Sequence, residues 1–93
     1  MDISIVLQLV KETKGIRSSN ARDTYISAII NGVIQELTEE KGIGINLENA
    51  NHLLFVTDYA SWRYDHSKEP LPRDLQFRLH NMIIHSHGGG SNE

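Results

Sequence analysis

Three histidines, His80, His85 and His87, fall within eight residues, with His66 not far upstream, and a group of this kind could ligate a metal ion. Two histidines share an ion from one helix when they stand four apart. His80 and His85 are five apart and diverge by about 140° around the helical wheel. His85 and His87 could chelate only from a fraying end, so the histidines are read as solvated, and neither a metal nor a cofactor is expected.

The second concentration of reactive groups is "WRYDHSKEPLPRD", residues 62–74, which holds the only tryptophan and both prolines of the chain. With its flanks it offers Asp58, Tyr59, Tyr64, Asp65, His66 and Asp74 as acids and bases. General acid–base work needs a water-poor pocket that moves pKa values. At 93 residues the chain has room for one domain, and a domain this small buries only about two thirds of the surface its unfolded chain exposes. Its core is thin, and a deep cleft is not expected. Ser61, Ser67 and Ser86 lack the glycine-rich elbow of a nucleophilic serine. "GIGIN" has two glycines but no lysine leading into a helix, so it is not a phosphate cradle. The segment is read as a corner between helices, and no enzyme activity is expected. Arg63 and Arg73 bracket that corner, with Asp65, Glu69 and Asp74 placed for ion pairs between the helix ends.

Charge narrows the partners. Nine basic and twelve acidic residues interleave to a net charge of −3, which supplies no concentrated positive field for nucleic acid. Arg73, Arg78 and three histidines make a weak recognition helix. The absence of cysteine removes disulfide and thiolate chemistry and suits a reducing compartment. Apolar content of 39% and charged content of 23% fit a folded protein. "MDISIVLQLVKE" has Asp2 where a secretory signal carries positive charge, and no stretch approaches the roughly 20 apolar residues of a membrane span. A soluble, intracellular protein with no membrane partner is expected.

The elements that must position these groups are helical. Ile3, Val6, Leu7 and Val10 repeat at helical spacing, with Asp2 to cap and Gly15 to end a first helix. Ser18 or Asn20 starts a second, whose core stripe is read as Tyr25, Ile29, Ile30, Val33, Ile34 and Leu37. Arg22, Gln35, Glu36, Glu39 and Glu40 form its other face. Gly32 inside it suggests a close helix approach, and Gly42 stops it. Ile43, Ile45 and Leu47 then alternate with Gly44, Asn46 and Glu48, which predicts a short extended segment over residues 43–48 seeking a partner strand. A third helix begins near Asn49 or Asn51. Its consecutive Leu53, Leu54, Phe55 and Val56 make it central, and Phe55, Tyr59 and Trp62 share one face. The prolines break it, Pro72 opens a fourth helix, and Leu75, Leu79, Met82 and Ile83 face the core. The expectation is all-α: one domain over residues 1–86, a small bundle of about four helices, and a flexible glycine-rich tail over residues 87–93.

The order of a short first helix, a second followed by "EKGIGINLEN", then "HLLFVTDYASWRYDHSKEPLPRDLQFRLHNMII", resembles the small head-tail connector proteins of tailed bacteriophages, the adaptor or head-completion family. "DYASWRY", residues 58–64, and "PRDLQFRLHN", residues 72–81, carry most of the resemblance, which spans nearly the whole chain. It implies an all-helical virion protein that assembles as a ring beneath the portal. Such a ring extends the DNA channel and docks the next connector, a stopper or the tail. The implied partners are the portal protein, the neighbouring neck protein and further copies of the chain, with DNA passing through unread. The implied location is the virion neck, after assembly in the bacterial cytoplasm. Members of that family engage the portal through the C-terminal part, here residues 83–93. The surfaces assigned to portal or subunit contact are Ile43, Ile45, Leu47, Trp62, Ile83, Ile84, His85 and His87. The alternatives are a small helical regulatory protein binding DNA or a host protein, and a histidine-based metal enzyme.

Overall fold

A computed structural model describes residues 2–17, 20–66 and 69–87. Four helices follow in order: α1 (Ser4–Lys14), α2 (Asn20–Gln35), α3 (Ala50–Asp65) and α4 (Arg73–His87). A π turn, Glu36–Glu40, continues α2. No strand occurs among the described residues, so the protein is all-α, as the sequence predicts. Ser18 and residues 88–93, the greater part of the expected tail, lie outside the described residues.

The Asp2 carboxylate accepts the backbone N–H of Ser4 at 2.9 Å and its hydroxyl at 2.7 Å, which holds its pKa below the ordinary carboxylate value. Val6 and Val10 are fully buried. Gly15, at φ 64°, ends α1, with its N–H on the Glu12 carbonyl and that of Ile16 on Lys11. These paired bonds satisfy carbonyls a helix end leaves open, and the left-handed φ suits glycine.

In α2 the buried residues are Ile26, Ile30 and Val33, continued by Leu37 in the π turn. Tyr25, expected in this stripe, is exposed instead, its ring 5.8 Å from that of Tyr64. The 4-3-4 spacing of the three isoleucine and valine positions with Leu37 puts Ile26, not Tyr25, on the inward line. Gly32 also departs from expectation: a Cβ there would meet nothing within 4 Å, so no helix approaches it closely. Gly32→Ala is therefore expected to add roughly 0.5–1 kcal/mol of stability. A thermal melt checks this, with a rise of several degrees expected.

The helix does not simply stop at Gly42. Over residues 36–40 it widens: the Lys41 N–H reaches the Glu36 carbonyl five residues back at 3.1 Å, and the Ile43 N–H reaches Leu37 at 2.9 Å. Gly42, at φ 70°, turns the chain back. Residues 43–46 form no strand. Their alternation is real, with Ile43 and Ile45 inward and Gly44 and Asn46 outward, but the apolar pair joins this chain's own core. The segment closes on side chains: the Asn46 N–H donates to His52 Nδ1 at 3.0 Å, and the Glu48 N–H to Asn46 Oδ1.

Asn49 caps α3, its Oδ1 accepting from the N–H groups of Asn51 and His52 at 2.9 and 3.3 Å. That satisfies two donors the first turn cannot pair internally. The helix packs against α1, α2 and α4 and buries Phe55, Val56, Thr57, Tyr59, Ala60 and Ser61, the central position the sequence predicts. The Thr57 and Ser61 hydroxyls are buried without a partner among the described residues. An unpaired buried hydroxyl costs about 1–3 kcal/mol. Thr57→Val keeps the shape and removes that cost, so its urea midpoint is expected to rise.

At the corner, α3 ends with the His66 N–H on the Trp62 carbonyl at 2.9 Å, and the Glu69 N–H returns to His66. α4 begins at Arg73 rather than Pro72, whose carbonyl accepts the Gln76 N–H. Among the described residues, α4 packs on no helix but α3. Leu75 is buried there, and Leu79, Met82 and Ile83 lie half-buried against the core. No helix of the described residues is long and apolar enough to cross a membrane.

Candidate interaction surface

Several of the residues that sequence singles out for chemistry are taken up by contacts between elements. Asp58 accepts from Arg78 at 2.8 Å, tying α3 to α4. Asp65 pairs with Lys14, tying the end of α3 to the end of α1. His66 stacks on Trp62 with ring centroids 5.5 Å apart and faces Glu69 across 3.3 Å. The expected ion pairs across the proline corner are thus replaced. Arg63 reaches Glu36 of the π turn at 3.6 Å, and Arg73 forms no ion pair with another described residue. His80 and His85 are exposed, and no three of His, Asp and Glu group as metal ligands among the described residues.

A polar knot lies where α3 meets the π turn. Tyr59 donates its hydroxyl to Glu36 Oε2 at 2.7 Å and accepts from Arg63 Nη2 at 2.7 Å. The Arg63 guanidinium also covers the rings of Tyr59 and Trp62, at 5.2 and 5.7 Å. Glu36, expected on the polar face of α2, is drawn half inward by this contact. Burial first, then the hydrogen bond and charge of Glu36, push the Tyr59 phenol up from 10.0 to about 12. A raised folded-state pKa favours the protonated form, so this contribution is complete below about pH 10 and is lost as pH climbs through about 12. Urea midpoints between pH 9 and 12 are expected to fall more steeply for the native chain than for Tyr59→Phe.

The residues expected to meet a portal or another subunit are dispersed. Ile43 and Ile45, 1% and 8% exposed, are core side chains and present nothing to a partner. Leu47, Trp62 and Ile83 are half-buried against that core. Ile84 and His85 are exposed on α4, and the side chain of His87 lies outside what the structure describes. An open groove of about 500 Å³ separates the start of α3 from the end of α4, floored by Leu54, Phe55 and Met82 and edged by His52, Asn81 and His85.

The large exposed apolar residues here are Leu54, Phe77 and Ile84. Phe77 is 63% exposed and Ile84 48%. Seven residues apart, the two lie within about 20° of one another on the wheel and nearly opposite Leu75. α4 is therefore apolar on both sides, anchored by one and bare on the other. Phe77 lies off the Leu75, Leu79, Met82 and Ile83 stripe that marks the core-facing side of α4 in the sequence. Its signal is a large aromatic falling on the far side of that stripe. A scan against protein-family models, a search of curated proteins and a search of solved structures each find no match to this chain.

Proposed function

We propose that the protein is a structural subunit of a phage or prophage neck, a head-tail connector that assembles as a ring beneath the portal and acts by contact rather than by chemistry. The observation that carries this reading is the bare side of α4. A helix fastened to the body through α3 alone keeps Phe77 and Ile84 in water, and exposed aromatic and aliphatic anchors of this kind mark interaction surfaces. The segments "DYASWRY" and "PRDLQFRLHN" that carry the resemblance to connectors form the end of α3 and most of α4. The net charge of −3 suits a channel wall that lets DNA slide. In this reading the bare side of α4 serves the contact between ring subunits, the C-terminal end of the chain meets the portal, the next neck protein docks on the assembled ring, and DNA passes without sequence recognition.

Purified protein mixed with portal-bearing, DNA-filled heads is expected to add a ring of density beneath the portal in averaged electron micrographs. Heads that stay unchanged at saturating protein would refute the connector role.

A further inference from the structure

The exposed side of α4 is a stripe of four residues, Arg73, Phe77, His80 and Ile84, at spacings of four, three and four, so all lie within about 60° of one another. It holds two apolar anchors and two basic groups. The only acid of the helix, Asp74, lies about 100° away from its neighbour Arg73. Pairing two such stripes antiparallel would set Arg73 against Ile84 and Phe77 against His80 and leave no acid for either arginine, so a symmetric α4–α4 contact is electrostatically poor.

The complementary surface is on the same molecule but on its other side. The outward side of α2 carries exposed Thr24, Ala28 and Gln35, with open space above Gly32, and runs into exposed Glu39 and Glu40. No Lys or Arg occurs between Thr24 and Glu40. Registers match as well: Arg73 to Ile84 and Ala28 to Glu39 each span eleven residues, about 16 Å of helix. Laying the helices antiparallel with Ile84 over Ala28 brings Arg73 to Glu39 and puts Phe77 beside Gln35. α2 and α4 of one chain do not touch, so this pairing forms only between copies.

We propose that the outward side of α4 docks antiparallel on the outward side of α2 and the π turn of a second copy of this chain. The contact joins two different surfaces, so each copy offers one of each and the association propagates head to tail, into a ring if the rotation closes. The proposal rests on the ring-subunit reading for its biological setting, but its test needs no portal.

The chain has no cysteine, so introduced thiols report alone. A28C/I84C, checked for native helix content by circular dichroism, is oxidised at high concentration and run on a non-reducing gel. Cα atoms must approach within about 7 Å for a disulfide, and within one chain these positions sit on helices that make no contact. A ladder of dimers, trimers and longer species is expected, with A28C and I84C singly giving at least tenfold less product. R73E or E39R added to the thiol pair is expected to suppress the ladder, and the two reversals together to restore it. Absence of a ladder overturns the proposal. Dimers from I84C alone in equal yield overturn it in favour of α4 pairing with itself, and a ladder indifferent to R73E overturns the register. A ladder without density beneath a portal would leave this pairing standing and remove the connector role. Density without a ladder would do the reverse.

Discussion

Phe55→Ala is expected to lower the unfolding free energy by about 3–5 kcal/mol. Phe55 is 1% exposed. Its ring meets Tyr59 edge-on with centroids 5.8 Å apart and lies beneath the Arg78 guanidinium at 5.4 Å. Truncation removes the ring's transfer energy and leaves a cavity next to an existing groove floored partly by Phe55 itself. Small domains hold only about 5–15 kcal/mol in all, so the loss is a large share of the total. The damage is also directional. α4 has no other helix to rest on, so its amides are expected to exchange with solvent earlier than those of α1 and α2 in the variant. Urea titration with site-resolved hydrogen exchange measures both. Phe55→Leu, which keeps most of the volume, is expected to cost under about 1.5 kcal/mol. A loss below about 1 kcal/mol for the alanine variant would contradict the packing described.

Arg63→Ala is expected to cost about 2–3 kcal/mol, more than a surface arginine would. The guanidinium is at once a donor to the Tyr59 hydroxyl, the counter-charge to Glu36 and a lid over two aromatic rings. Removal leaves a carboxylate and a phenol facing each other with no cation. It also strips apolar cover from Trp62, an effect of the long arginine stem as much as of its charge. Arg63→Lys should recover little, since a point charge on a flexible stem cannot lie flat over a ring and donate sideways at once. The check is a double-mutant cycle with Tyr59→Phe. A coupling of about 1 kcal/mol or more is expected between the two positions, and near-additive losses would show that the contacts are independent.

Much of this architecture is legible in the residues, because burial in small helical proteins writes itself as periodicity. Val6 and Val10, the Ile30, Val33 and Leu37 series and the crowded middle of α3 all announce their inward sides. The misreadings have physical causes. Tyr25 and Ile26 are adjacent, and only the line through Ile30 and Val33 separates them. The alternation at Ile43 and Ile45 marks an extended segment, but a chain crossing its own core alternates in the same way as one seeking a partner, and the two residues are buried in this chain's own core. Glu36 could not be placed inward from the sequence, since its partners lie 23 and 27 residues away. The candidate surface is legible only in outline: Ile84 is expected at an interface from the sequence, whereas the bareness of Phe77 follows only from the side on which α4 is anchored.

The π turn has one more implication. A widened turn is an α-helix with one residue too many, a phase error kept in the chain. Winding all of its residues into ordinary helix would rotate everything that follows by about 100°. Ile43 and Ile45 would swing out of the core, and Glu36 would lose its place opposite Tyr59 and Arg63. The π turn thus absorbs the extra residue and holds Ile43 and Ile45 in phase with the core, so this stretch tolerates the loss of one residue better than the gain of another although most of its side chains face water.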